Sequence, residues 1–165
     1  MKTTIYSKEN LRARGSDRIQ VNNLLSAICI GALFFLLSTS NQRINEWTTI
    51  QLSVAIPLLI TSSLAYAKTC YRDFQEFRKW DILGWLTHSI GYLFILNAIF
   101  VLLYQSKYLF SAWLFIGSVL LLFVVYSVTD VLAKKSRWNE KLLKLILYFS
   151  IIFFGSILPM LSGWV

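Results

Sequence analysis

The sequence predicts an all-α fold, a polytopic transmembrane helical bundle of about five spans with the N-terminus inside and the C-terminus outside. Three observations lead there. The chain of 165 residues is 56% hydrophobic and 16% aromatic, whereas a soluble domain is roughly 45–50% apolar. Charged residues make up only 15% and cluster, leaving five charge-free runs: Ile19–Gln42, Trp47–Ala67, Ile82–Ser106, Tyr108–Thr129 and Leu145–Val165. These runs do not alternate: "VLLLFVVY" and "LILYFSIIFFG" are continuous apolar stretches, unlike the in-out pattern of a membrane barrel strand. A helix rising about 1.5 Å per residue crosses a hydrocarbon core of roughly 30 Å in about 20 residues. With no water in that core to satisfy the backbone, a continuous apolar run must be helical.

Taken in order, residues 1–18 form a charged N-terminal segment, expected on the cytoplasmic side. Residues 19–165 form a single transmembrane domain with spans near 19–42, 47–67, 82–106, 108–129 and 145–165. Gly15-Ser16-Asp17 reads as a break with a helix N-cap just before the first span. That span is the weakest, because Asn22, Asn23 and Ser26 open it and its dense apolar core is only Leu24–Leu37. A basic segment followed by such a core also describes a signal peptide. A retained span is expected instead, since dropping it would break the charge alternation described next. "STSNQRINEW" and "YQSKY" are short loops that close two hairpins, spans 1–2 and spans 3–4. "KTCYRDFQEFRKWD", Lys68 to Asp81, spaces Tyr71, Phe74 and Phe77 by three with charges between. That pattern predicts an amphipathic helix or an extension of a span at the interface. "KKSRWNEK" links spans 4 and 5, and the fifth span closes the chain. Trp47, Trp80, Trp85, Trp138 and Trp164 fall near span ends, as in an aromatic belt.

Orientation follows from the basic residues. With the N-terminus inside, fourteen of the sixteen lysines and arginines lie on one side and only Arg43 and Lys107 on the other. This is the imbalance that sets membrane topology. The formal charge of +8 therefore serves topology and anionic lipid headgroups rather than nucleic acid. Arg72, Arg78, Lys79, Lys134, Lys135 and Arg137 make up the expected headgroup face, or the face for a cytoplasmic protein partner. Two cysteines, Cys29 and Cys70, provide neither a disulfide framework nor metal spacing.

Chemistry-bearing groups inside the spans are few. Gly84, His88 and Gly91 share a face of span 3, and Gly155, Pro159 and Gly163 recur every four residues in span 5. These small residues, with the prolines Pro57 and Pro159, are expected to serve helix packing and kinks. His88, Asn97 and Asp130 are the candidate gating or polar-contact residues, because an ionisable or amide group inside a span is costly unless it is used. Asp130 is expected to pair with Lys134 at i,i+4. A hairpin about Lys107 would bring His88 within reach of Asp130. His88 and Asn97, nine residues apart, lie on opposite sides of one helix, so one is expected to serve packing and the other a subunit contact.

One histidine, no paired carboxylates inside a span, and no HExxH, GxSxG or Gly-rich phosphate loop leave no active-site signature. The expectation is a non-enzymatic protein without metal or cofactor. It would form a homo-oligomer and act as a membrane effector or channel-like component with a cytoplasmic partner. Ser26, Thr61, Ser62 and Ser111 join His88 and Asn97 as groups for a pore lining or a contact. The alternative is a non-conducting anchor, sensor or immunity-type binding subunit. A small-solute transporter fits less well, because the mid-span residues are mostly Leu, Ile, Phe and Val. In size and span count the chain resembles small membrane proteins that accompany bacterial defence or toxin-immunity systems. That resemblance implies a bacterial inner membrane as the location and assigns no residue.

Overall fold

The computed structural model describes the backbone of residues 8–38, 46–71, 74–133 and 138–164, and the side chains of 15–38, 46–70, 78–133, 138–139 and 141–164. The described residues contain no strand. The helices are α1 (Lys8–Ser38), α2 (Glu46–Tyr71), α3 (Phe74–Gln105), α4 (Leu109–Leu132), α5 (Trp138–Ile152) and α6 (Leu158–Leu161), with a π-helical segment at Phe153–Ile157 between the last two. Five stretches are long and apolar enough to cross a membrane: Gly15–Ser38, Glu46–Cys70, Arg78–Gln105, Leu109–Leu132 and Lys141–Leu161. The protein is a multi-pass, all-helical membrane protein.

The helix starts depart from the sequence reading in a consistent direction. The break expected at Gly15-Ser16-Asp17 does not occur, and α1 is already helical from Lys8. Gly15 has a different use: a Cβ there would meet Cys70 Sγ at 2.6 Å, so the missing side chain lets α1 approach α2. Of the two alternatives for the Lys68–Asp81 stretch, "FQEFRKW" follows the second: it extends a span, as the first two turns of the 32-residue α3. Glu46 in the first turn of α2 suits the partial positive charge of a helix N-terminus. Pro57 lies inside α2, where it leaves the Ser53 carbonyl without its usual amide donor.

The turn from α3 to α4 rests on one residue. Lys107 has φ 63°, in the left-handed region where a helix end usually places glycine. Its amide donates to Tyr104 O and the Tyr108 amide to Leu103 O, both at 3.0 Å. The left-handed conformation costs a side-chain-bearing residue about 1–2 kcal/mol. The C-terminal end uses the same device with the favoured residue. Gly163 has φ 71°, and the Trp164 amide donates to Pro159 O at 3.0 Å. Gly163 was expected at a helix contact, but no atom lies within 4 Å of where its Cβ would stand. It is a helix stop instead.

Packing groups the chain into two compact units. The first is Met1–Ile44 with Leu52–Tyr92, and the second is Asn45–Gln51 with Leu93–Val165. The physical reason is length: α2 and α3 each give one stretch to one unit and the rest to the other. In the first unit, Cys29, Ala55, Leu59, Ala65 and Tyr66 are buried. Gly91 sits where a Cβ would lie 3.3 Å from Ala55 O and 3.2 Å from Leu59 Cγ, so α2 and α3 touch almost backbone to backbone. In the second unit, Leu93, Leu96, Phe100 and Val101 of α3 pack with Ala112 and Ile116 of α4, Ile152 of α5 and Met160 of α6. The Phe100 ring meets Trp113 edge-on at 5.8 Å. Lipid tails are as apolar as leucine, so dispersion and close fit hold such a core rather than expulsion of water.

Candidate functional site

Each unit encloses a polar cluster built from residues of different helices. In the first unit Asn22 of α1, fully buried, is the centre. Its Nδ2 donates to Ser62 Oγ at 2.9 Å, and Ser62 Oγ donates to Gly84 O at 2.7 Å. Its Oδ1 lies 2.6 Å from His88 Nδ1. A carboxamide oxygen only accepts, so Nδ1 carries the hydrogen and donates to Asn22. The chain runs one way, from His88 through Asn22 and Ser62 to the Gly84 carbonyl, and joins all three helices of the unit. Hydrogen bonds aligned in this way strengthen each other. The other ring nitrogen, Nε2, is then the site that takes up a proton, and protonation there leaves the bond to Asn22 intact. The His88 ring is half-buried and lies parallel to Tyr92 at 6.3 Å.

A charged pair lies one to two turns from this cluster along the same helices. Arg18 Nη1 donates to Asp81 Oδ1 at 2.9 Å, and the guanidinium carbon stands 4.8 Å from the centre of the Tyr66 ring. Tyr66 in turn lies against Gly84, where a Cβ would meet the ring at 2.9 Å. The pair is 37% and 42% exposed, so solvent and headgroups keep its worth to about 0–1 kcal/mol.

The second unit's cluster centres on a carbonyl that proline sets free. In a continuing α-helix the amide of residue 159 would engage Gly155 O, but Pro159 has no N–H. That carbonyl instead accepts from Trp47 Nε1 and Gln51 Nε2, each at 2.7 Å. The backbone there widens into the π-helical turn, a form that often marks functional or strained positions. Asn97, fully buried, donates from Nδ2 to Ile151 O at 3.1 Å and accepts from Ser156 Oγ at 2.6 Å. A Cβ on Gly155 would overlap the Asn97 amide nitrogen, so glycine is what admits the amide. Gln51 Oε1 and Thr48 Oγ1 are buried and have no hydrogen-bond partner among the described residues.

The expected site residues fall as follows. His88 and Asn97 engage different neighbours within the chain, α1 and the π-helical region. His88 meets Asn22 of α1. Asp130 forms an ion pair with Lys141 of α5, and Lys141 also stands 5.0 Å from the centre of the Tyr126 ring. The expected Asp130–Lys134 pair, and the basic residues Arg72, Lys134, Lys135 and Arg137, lie outside the described residues. Arg78 and Lys79 are exposed. Near them Lys68 Nζ stands 4.2 Å from the centre of the Trp80 ring, a cation on an aromatic face as at a membrane interface. Ser26 and Ser62 are buried, while Thr61 and Ser111 are exposed.

The partners that sequence reasoning missed are Arg18, Asn22, Gln51, Asp81 and Lys141. Only Asn22 gave a signal, as the polar residue that made the first span look weak. The described residues hold no group of three or more His, Cys, Asp or Glu placed to bind a metal ion. Among known proteins no family model, no curated protein and no solved structure matches this chain.

Proposed function

We propose that the protein is a small non-enzymatic membrane component that acts as a homo-oligomer, an effector or channel-like subunit of the cytoplasmic membrane. Its N-terminus would face the cytoplasm, with Arg78, Lys79 and Lys68 toward anionic headgroups or a cytoplasmic protein partner. One observation carries this reading. Inside each unit most buried polar side chains are engaged within the chain: His88, Asn22 and Ser62 with one another in the first, and in the second Asn97 with Ser156 and Trp47 with the Gly155 carbonyl. Among the described residues the buried polar atoms left without a partner are Ser26 Oγ in the first unit and Thr48 Oγ1 and Gln51 Oε1 in the second, too few to line a path from one side of a membrane to the other. A conducting path, if the protein has one, must then form between copies, as small multi-span subunits require.

The test is ion flux through liposomes that hold the purified protein, with wild type and His88→Ala compared at about pH 5.5 and about pH 7.5, on either side of the usual histidine range. Light scattering of the same preparation gives its mass. A mass of several chains with measurable flux supports the proposal. A single-chain mass with silent liposomes overturns it. Silent liposomes holding an oligomer would favour the non-conducting binding subunit, a reading that the exposed basic residues beside Trp80 also suit.

A further inference from the structure

Two buried oxygens of the second unit lack a donor. Thr48 and Gln51 of α2 are 0% and 1% exposed. Thr48 Oγ1 and Gln51 Oε1 have no hydrogen-bond partner among the described residues. Residues three apart on a helix share a face, with their Cβ atoms about 5–6 Å apart. The orientation of the Gln51 amide is forced. Its nitrogen donates to Gly155 O at 2.7 Å, and turning the amide over would set two acceptors against each other. The amide oxygen therefore faces away from Gly155 O and needs a donor of its own. The donors of the cluster are directed elsewhere: Trp47 Nε1 at Gly155 O, Asn97 Nδ2 at Ile151 O and Ser156 Oγ at Asn97 Oδ1. A buried acceptor without a donor is costly.

We infer that a single ordered water molecule is bound between Thr48 and Gln51. The two oxygens define the occupant. Gln51 Oε1 only accepts, so the occupant carries a hydrogen to donate, while Thr48 Oγ1 both accepts and donates. An apolar group would leave both oxygens unpaired. Two neutral oxygens without a carboxylate are too few for a cation that must shed its own waters. Water meets the requirement: one hydrogen goes to Gln51 Oε1 and a second bond is shared with Thr48 Oγ1, which satisfies the minimum of about two polar partners for a buried water. The place suits it as well. Thr48 and Gln51 come two and five residues after Glu46, the first residue of α2, or about 3 and 8 Å along the axis. Water reaches them from the membrane surface without crossing the hydrocarbon core. By holding Oε1, it keeps the Gln51 nitrogen aimed at the carbonyl that Pro159 frees. The site is independent of whether copies of the chain associate.

The experiment is a cycle of two substitutions in the full chain, read as melting temperature in detergent. Thr48→Val keeps the branched shape and removes the hydroxyl. In the wild-type background it breaks the bridge and is expected to lower the melting temperature by roughly 2–4 °C. Gln51→Leu releases the water together with the acceptor it served, which keeps its own cost small and leaves the Thr48 hydroxyl unpaired. In that background Thr48→Val removes an unpaired group and is expected to raise the melting temperature. Equal shifts in the two backgrounds, or a rise in both, overturn the inference, because unlinked oxygens act additively. A direct bond between the two side chains would reverse the sign in the same way, so a density map that resolves ordered waters is the second measurement. Density within hydrogen-bond distance of both Thr48 Oγ1 and Gln51 Oε1 is expected. A direct contact between the two, or a map with ordered waters elsewhere and none here, overturns the inference.

Discussion

Asn97 and Gln51 are both buried amides beside the same π-helical turn, yet their substitution by leucine should differ. Asn97→Leu removes two bonds and leaves Ser156 Oγ and Ile151 O without that partner, so a loss of about 1–3 kcal/mol is expected. Gln51→Leu removes one bond but also an acceptor that has none, and Trp47 still serves Gly155 O. Its cost is expected to stay below about 1 kcal/mol. Gly155→Ala should resemble Asn97→Leu, because the new methyl group takes the space of the amide, an overpacking that costs about 1–3 kcal/mol. Thermal unfolding in detergent, followed by helical circular dichroism, ranks the three, and a Gln51→Leu loss equal to that of Asn97→Leu would contradict the scheme. At this scale the sequence pointed to His88 and Asn97 because amide and imidazole groups stand out in an apolar run. It could not name Asn22 or Ser156 as their partners, since those lie 66 and 59 residues away along the chain and small polar side chains are common in any span.

Among the elements, the spans were readable and their ends were not. Charge-free runs mark the hydrocarbon core, but a helix continues past it as long as its backbone pairs with itself. Hence α1 starts eleven residues before the first run, and α3 eight residues before the third. Gly15 misled for a related reason: glycine next to Ser-Asp is the signature of a turn, and the same missing side chain also allows a close helix contact. The left-handed Lys107 gives a test of the opposite kind. Lys107→Gly relieves the strain at the α3–α4 turn and is expected to stabilise the protein by up to about 1 kcal/mol, after the entropy that glycine adds to the unfolded chain. Lys107→Val, with a branched side chain in that region, is expected to destabilise it. Melting temperatures that move the other way would contradict the conformation of that residue.

For the molecule as a whole, the 14-to-2 distribution of basic residues makes a prediction of sidedness. In the background without native cysteines, a cysteine at Asn41 should react with an impermeant maleimide added to intact cells, and one at Asn10 only after lysis. The reverse pattern would invert the topology. The division into two units was not legible, because it depends on which stretch of α2 and α3 packs where, and both helices are apolar along most of their length. One bond pattern in the second unit also sets an order of events during synthesis. Trp47 and Gln51 precede Gly155 by 108 and 104 residues, and a ribosome adding about 5–20 residues per second takes roughly 5–20 s to cover that distance. Every partner of Asn22 has been made by His88, so the first cluster is free to close while the rest of the chain is still being made. The second cannot close until that distance is covered, because its shared acceptor, the Gly155 carbonyl, is made last. A chain stopped before the fifth span would lack the Gly155 carbonyl that gathers Trp47 and Gln51, and its second cluster would never close.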